Sequence, residues 1–309
     1  MSLKFIKPGL QTSIQDAGRT GFMHQGISRS GAMDSVSLQL ANWLVSNEIN
    51  QAALEITLVG PTIEFTDSYS ISICGAEFEL VLNDNLITNN EVIHVNKGDV
   101  LDFKKLQKGV RAYLAIAGKL KVDEVFGSHS THLTANFGGY KGRQIKVGDV
   151  LEVNDKHQPN KRELPKEYRP TFSGSYLLRC VDGFEVDSFD KESIHRFYNC
   201  IYKISNESNR MGLRLEGDAI ISDTPIELVS SGLVQGSIQI PPSGLPIISS
   251  VDGQTIGGYP RIANVISSDL NILGQLKAGD KINHLLISRE EALKQLKLKQ
   301  TFLNKLLLN

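Results

Sequence analysis

Short runs of apolar and β-branched residues recur about every ten positions through the first half of the chain, at 54–59, 62–65, 70–74, 78–82, 92–95, 100–103, 111–117 and 150–153. Gly, Asn, Asp and Pro separate them, so the pattern predicts an antiparallel sandwich or barrel. Asn83-Asp84-Asn85 reads as a hairpin turn, because Asn and Asp tolerate left-handed backbone. One helical pattern interrupts the strands. Over 35–45, Val36, Leu40, Ala41 and Leu44 fall on one face and Ser37, Gln39 and Asn42 on the other, with Asp34 or Ser35 as N-cap. In the second half, 176–181 and 200–204 read as strands flanking a helix that starts near Asp187 or Ser188, and short strands continue to Leu286. Ser288-Arg289-Glu290-Glu291 has capping-box spacing and opens a last helix with an apolar stripe through Ala292, Leu293, Leu296, Leu303, Leu306 and Leu307.

The segment 154–173 is polar, charged and carries Pro159, Pro165 and Pro170, so it reads as a linker outside any core. The expected division is a β domain over 1–158, a linker over 159–173, and a second β domain with a terminal helix over 174–309. Lys97-Gly98-Asp99, Lys146 with Gly148-Asp149, and Lys277 with Gly279-Asp280 each stand at the mouth of an apolar strand. They are read as turns leading into strands.

Composition narrows the partners. With 309 residues, 40% hydrophobic and 22% charged, the chain is globular, and a net charge of −1 argues against nucleic-acid or anionic-membrane surfaces. Cys74, Cys180 and Cys200 are odd in number and far apart, which suggests buried thiols rather than a disulfide framework or a zinc site. No run approaches the ~18 apolar residues of a membrane span, so a cytoplasmic location is expected.

Three stretches are too rich in glycine and polar groups for a core. The first runs over 9–34 and displays Gln11, Gln15, Asp16, Arg19, His24, Arg29, Ser30, Gly31 and Asp34 just before the helix, whose free N-terminal amides favour an anion or a polarised carbonyl oxygen. The second, 208–217, joins Arg210 to a glycine turn; the third, 252–260, contains Asp252, Gln254, Thr255, Gly257, Gly258 and Tyr259. In the functional reading Arg19 and Arg210 bind a carboxylate or phosphoryl group, Asp252 or Asp16 accepts a proton, and the amides of 30–34 donate to an oxyanion. The three loops are then expected to converge on one cleft between the domains. In the bland reading Arg210 pairs with Glu216 and the paired glycines form a bulge. His129 and His132 lack a nearby third ligand and are read as loop residues; no metal is expected. No P-loop and no dinucleotide fingerprint occurs.

The motif Gly9-x-Gln11-Thr12-x-x-Gln15-Asp16-x-Gly18-Arg19-x-Gly21, then Ser30-Gly31-Ala32-Met33-Asp34, resembles the opening of the biotin-dependent carboxyltransferase-like family. The likeness continues in Leu54-Glu55-x-Thr57-x-x-Gly60-Pro61, Gly127-Ser128-His129-Ser130-Thr131, Ser208-Asn209-Arg210-Met211-Gly212 and Gln254-Thr255-x-Gly257-Gly258-Tyr259-Pro260. Departures from the family pattern stand at His129, Asn209, Asp182-Gly183-Phe184-Glu185 and Gly253, the last in place of an often larger residue. The family includes Kip antagonist proteins (KipA), allophanate hydrolase subunit 2, the carboxyltransferase part of urea carboxylase, and the C subunit of 5-oxoprolinase.

The resemblance implies a mainly β protein of two cyclophilin-like antiparallel β-barrels with a few short helices. It further implies work on an amide or urea-like substrate beside a B subunit of the Kip inhibitor type (allophanate hydrolase subunit 1-like). For a stand-alone chain, the 5-oxoprolinase member is the nearest likeness, with a LamB/YcsF-type A subunit and with ATP, Mg2+ included, used in the complex. A regulatory antagonist of a Kip inhibitor-type protein, and a urea or allophanate enzyme component receiving biotin from a carrier, are the alternatives.

Overall fold

The structure, a computed structural model, describes residues 2–221 and 228–308. The chain forms two compact units, one from residues up to Thr20 with Ser30–Phe172, the other from Gly21–Arg29 with Ser173–Asn309. Both are mainly β, and among the described residues no helix is long and apolar enough to cross a membrane.

In the first unit, β1 (Ser2–Lys7), β2 (Gln11–Gln15), β3 (Ala53–Thr57), β4 (Thr62–Phe65), β5 (Tyr69–Leu82), β6 (Asn85–Ile87), β7 (Ile93–Val95), β8 (Val100–Ile116), β9 (Lys119–Leu120) and β10 (Val150–Asn154) build one ten-stranded sheet. Its path runs β2-β3-β8-β4-β1-β10-β9, and β5 pairs with β6, β7 and β8. The long strands β5 and β8 stay antiparallel from Ile71 opposite Ile116 to Leu82 opposite Leu101, with register shifts between Gly75 and Leu80. Such bulges bend a strand pair and let one sheet curl around its own core of Leu3, Phe5, Phe65, Ile71, Leu101 and Leu114. Helix α1 (Ser35–Leu44) buries Leu38, Leu40, Ala41 and Leu44, and its Ala41 carbonyl accepts from the Ser72 hydroxyl at 2.6 Å. Gly75 permits that approach. Its φ is +96°, and a Cβ there would lie 2.5 Å from the Arg111 carbonyl and 3.3 Å from Ser37.

In the second unit, β11 (Ser175–Asp182), β12 (Tyr202–Ile204), β13 (Gly212–Glu216), β14 (Ser231–Gly232), β15 (Ser237–Gln239), β16 (Ile247–Ser249), β17 (Ile256–Gly257), β18 (Arg261–Val265) and β19 (Lys281–Leu286) are joined by α2 (Lys191–Asn199) and followed by α3 (Arg289–Leu307). A closed barrel runs β11-β18-β15-β16-β13-β12-β19, while β14 and β17 form a separate ribbon. The barrel is closed by a parallel pair, β11 on β19, which the antiparallel expectation did not include.

Local sequence signals account for many of these elements. Asp34 caps α1 by accepting from the Ser37 amide at 3.1 Å, and Ser288 caps α3 from the Glu291 amide at 3.1 Å. Helix α2 begins at Lys191, later than the 187–188 expected, because Asp190 supplies the cap to Ser193 at 2.7 Å. The lysine-glycine-aspartate stretches are turns: Gly98, Gly148 and Gly279 have positive φ, and Asp99, Asp149 and Asp280 accept the amides of Asn96, Lys146 and Lys277. Cys74 and Cys180 are buried and Cys200 is half-buried, all three as free thiols.

The segment read as a linker does not hang free of a core. Leu164 is fully buried and its amide donates to the Asn90 carbonyl at 2.7 Å, while the Arg162 carbonyl accepts from Val92. Arg162 stacks on Trp43, 4.9 Å from its ring centre. The polar, proline-rich composition misled because one buried leucine and backbone hydrogen bonds, rather than a run of apolar residues, tie the segment to the first unit.

His284 on β19 sits inside the second core, stacked on Phe197 with ring centres 4.4 Å apart and with neither ring nitrogen hydrogen-bonded. Burial pushes its pKa down to about 3. The unfolded chain takes up this proton near pH 6.5 and the folded chain does not, so folding stability is lost as pH falls from about 6.5 toward 3. Urea midpoints measured across that window should fall with pH, and His284→Phe should flatten the fall while keeping the ring stack.

Candidate functional site

Asp16, directly after β2, is the hub of the first glycine-rich loop. Its Oδ1 accepts from the Gly18 amide at 2.8 Å and from the hydroxyls of Ser128 and Ser130, and its Oδ2 accepts from the His129 amide at 2.6 Å. A carboxylate offers about four lone-pair sites, so Oδ1 is saturated and only Oδ2 retains capacity. Asp16 thereby clamps 127–131 against the end of β2, a role that any shorter or neutral side chain would perform poorly.

The neighbouring residues expected to bind substrate are built into the same clamp. Gln15 is fully buried; its amide nitrogen donates to Ser13 at 3.0 Å and to the Thr131 carbonyl at 3.1 Å, and its Oε1 has no partner. Arg19 is 2% exposed, donates from Nε to the Val125 carbonyl at 3.1 Å and from Nη2 to the Ser130 carbonyl, and lies 4.6 Å from the Phe137 ring centre. It organises backbone carbonyls where an anion had been expected. Ser30 is buried with φ +54° and an unpartnered hydroxyl. Gly31 has φ +91°, and a Cβ would meet the Gly18 backbone at 2.8 Å.

The expected oxyanion donors need a similar correction. The Ala32 amide donates to the Asp16 carbonyl at 2.9 Å, the Met33 amide to Glu55 Oε2 at 2.9 Å, and the Asp34 amide to the Tyr113 hydroxyl at 2.8 Å. Tyr113 in turn donates to Glu55 Oε2 at 2.6 Å, and burial with the Glu55 charge holds that phenol well above its usual pKa. Glu55 also faces Arg111 Nε at 3.7 Å. A charged residue inside the apolar run 54–59 was the available signal for Glu55; Tyr113 lies in an apolar strand and offered none.

A cavity of about 430 Å³ opens in this unit, lined by Asp16, His129, Lys119, Asp155, Glu48 and Gln51 among others. Lys119 and Asp155 pair across its edge at 3.2 Å. His129 reaches Glu124 at 3.9 Å through Nε2, while its Nδ1 is buried without a partner.

In the second unit Arg210 and Asp252 meet. Arg210 donates from Nε to Asp252 Oδ2 at 2.7 Å and from Nη2 to Oδ1 at 3.2 Å, and the side chains are only 4% and 2% exposed. The Asp252 amide also donates to the Arg210 carbonyl at 2.9 Å. The arginine pairs with the carboxylate expected to work beside it, and not with Glu216 as the bland reading had it. Along the chain beside Asp252, Ser250 has a buried hydroxyl without a partner, Thr255 is buried, and Gln254, Gly258 and Tyr259 are exposed. Gly253 is dictated by space, since a Cβ would lie 2.5 Å from Ser249 Oγ and 3.0 Å from the Met211 carbonyl. The ribbon of β14 and β17 carries Gly257 opposite Ser231. A second fork, unforeseen from sequence, holds this ribbon: Arg261 donates to the Gly232 carbonyl at 2.6 Å and to Glu185 Oε2 at 2.7 Å, and the pairing with Arg261 holds the Glu185 carboxyl below its usual range.

Chemically, the second unit offers a desolvated arginine-carboxylate pair beside exposed polar loops, and the first a polar cavity edged by a clamped carboxylate and an imidazole. Among the described residues no group of three His, Cys, Asp or Glu is placed to hold a metal ion.

Comparison with known proteins adds to this geometry. Residues 25–285 match the family described as Carboxyltransferase domain, subdomain A and B. The chain is 39% identical over 292 residues to the C subunit of 5-oxoprolinase from Escherichia coli (strain K12), covering 94% of this chain and 93% of that protein. It is 33% identical over 296 residues to the C subunit of 5-oxoprolinase from Haemophilus influenzae, covering 96% and 94%. The crystal structure of Kluyveromyces lactis urea carboxylase superposes with a TM-score of 0.92 at 34% identity over 99% of this chain, which spans 29% of that longer one.

Proposed function

The chain belongs to the family of the carboxyltransferase domain, subdomain A and B, and from that premise we propose that it serves as the C subunit of an ATP-dependent 5-oxoprolinase, opening the 5-oxoproline lactam to glutamate. The observation that carries the proposal is the end-to-end likeness, 94% of this chain against 93% of the E. coli protein. In this reading the chain works with a B subunit of the Kip inhibitor type and a LamB/YcsF-type A subunit, in the cytoplasm.

The lactam carbonyl oxygen gains negative charge as it is activated, and a fixed cation nearby lowers that barrier. Arg210 is the group assigned to the anionic part of the substrate, and its partner Asp252, which takes its Nε and Nη2 hydrogens, is assigned the proton. In the loop that follows Asp252, Thr255 is buried while Gln254, Gly258 and Tyr259 are exposed, and with Gly257 they are the residues assigned to meet the substrate. Asp16 and His129 meet at the cavity of the first unit, where Oδ2 of Asp16 keeps the capacity to accept one more hydrogen. Among the described residues, the amides of Ala32, Met33 and Asp34 are taken by Asp16, Glu55 and Tyr113, so the nucleotide is assigned no site on them and enters this reading as a component of the complex.

A urea-type carboxyl transfer, with biotin delivered by a carrier, is the second reading; the likeness to K. lactis urea carboxylase favours it. One experiment separates the two. The chain is combined with its partner subunits and ATP, and glutamate and phosphate release with 5-oxoproline is followed beside carboxylation of urea by carboxybiotin. Glutamate and phosphate released together from 5-oxoproline, with none from the purified chain alone, is the expected result; turnover by the chain alone, or response only to urea with carboxybiotin, overturns the proposal.

A further inference from the structure

A separate cavity of about 390 Å³ opens in the first unit where the start of β5, strand β7 and residues 156–158 come together. Tyr69 pairs with Val95 and Ser70 with His94 across these strands, and Lys156 and His157 from the segment after β10 form the opposite wall. The cavity beside Asp16 is edged by Asp16, Glu48 and Asp155, whereas this one has no carboxylate in its lining. Its polar groups are an ammonium, two imidazoles, a phenol, serine hydroxyls and the amides of Asn96 and Gln158. Such a set of donors, with one fixed cation, suits an oxyanion.

The details narrow the class. Lys156 Nζ is held by Asp67, which lies outside the lining, and stands 5.2 Å from the centre of the Tyr69 ring. Tyr69 is 5% exposed and its hydroxyl is buried without a hydrogen-bond partner. Burial, reinforced by the Asp67 charge, raises its pKa to about 12, so at neutral pH it keeps its proton and remains a donor. Ser70 Oγ is 2.9 Å from His94 Nδ1, which fixes that ring. His157 Nε2 is 2.8 Å from the Val45 carbonyl, and a carbonyl can only accept, so Nε2 carries the hydrogen. The donors come from several elements of the lining, and the tetrahedral oxygens of a phosphate can meet more of them at once than the two coplanar oxygens of a carboxylate.

We propose that this cavity binds phosphate, free or as a phosphomonoester, between Lys156, Tyr69, His94 and His157. The site stands apart from the lactam chemistry and does not rest on it.

The test is a titration of the full chain, with histidine rings labelled for NMR, against inorganic phosphate, glycerol phosphate and acetate. Saturable shifts of the His94 and His157 rings with the two phosphates, and none with acetate, are expected; the tighter of the two identifies the source of the phosphate. Lys156→Met and His94→Gln alter exposed residues, and each should weaken binding about tenfold with the backbone spectrum otherwise unchanged. Non-saturating shifts, an equal response to acetate, or undiminished binding in both variants overturns the proposal.

Discussion

Replacing Arg210 by methionine is expected to destabilise the second unit by about 3–5 kcal/mol, because it leaves a buried carboxylate without its counter-charge. Asp252 is 2% exposed and takes two guanidinium hydrogen bonds from Arg210. Water cannot replace them without opening the loop. The double variant Arg210→Met with Asp252→Leu removes this ion pair as a unit and should recover part of the loss, since buried ion pairs are frequently exchangeable for apolar packing. Urea unfolding of the four proteins of this cycle measures the coupling directly. A single variant that costs less than about 1 kcal/mol would mean that the pair is solvated like a surface bridge, where such small values are the rule.

The second large effect is expected at Asp16. Asp16→Ala strands two hydroxyls and two backbone amides, and even if the hydroxyls turn to other acceptors the buried amides leave a cost of about 3 kcal/mol or more. Asp16→Asn keeps the shape but sets an NH2 group against donors, so it should also be strongly destabilising. Amide hydrogen exchange reports the same event locally: the Gly18 and His129 amides should lose protection in both variants, ahead of the strands. Retention of protection at these two positions would show that the loop is held by something other than the carboxylate.

The strands and helices were legible because their signals are local. Short apolar and β-branched runs, the Asn83-Asp84 turn with both residues at positive φ, and the caps at Asp34 and Ser288 each act over a few residues. The parallel closure of β11 on β19 was not, since these strands lie about a hundred residues apart and their pairing depends on the closing barrel rather than on either sequence. In the first loop, residue types were read correctly as polar and glycine-rich, yet their use was not. Arg19 could have faced a ligand or a carbonyl, and only the tertiary placement of Val125, Ser130 and Phe137 decides for the backbone. Arg210 and Asp252 were each singled out, but their bond spans forty-two positions and no local pattern reveals it.

In the proposed function this chain contributes working groups, and not merely support, to a lactam-opening complex. Arg210→Lys is the variant to measure, because lysine keeps the positive charge beside Asp252 and loses the second, parallel hydrogen bond to it. Glutamate formation from 5-oxoproline is measured in the complex with its partner subunits, alongside urea unfolding of the same variant. A fall in turnover of at least about tenfold, about 1.4 kcal/mol of transition-state stabilisation, with the folded state retained, is the result predicted. Full turnover in the lysine variant would contradict the assignment of Arg210 and return the pair to a purely structural role.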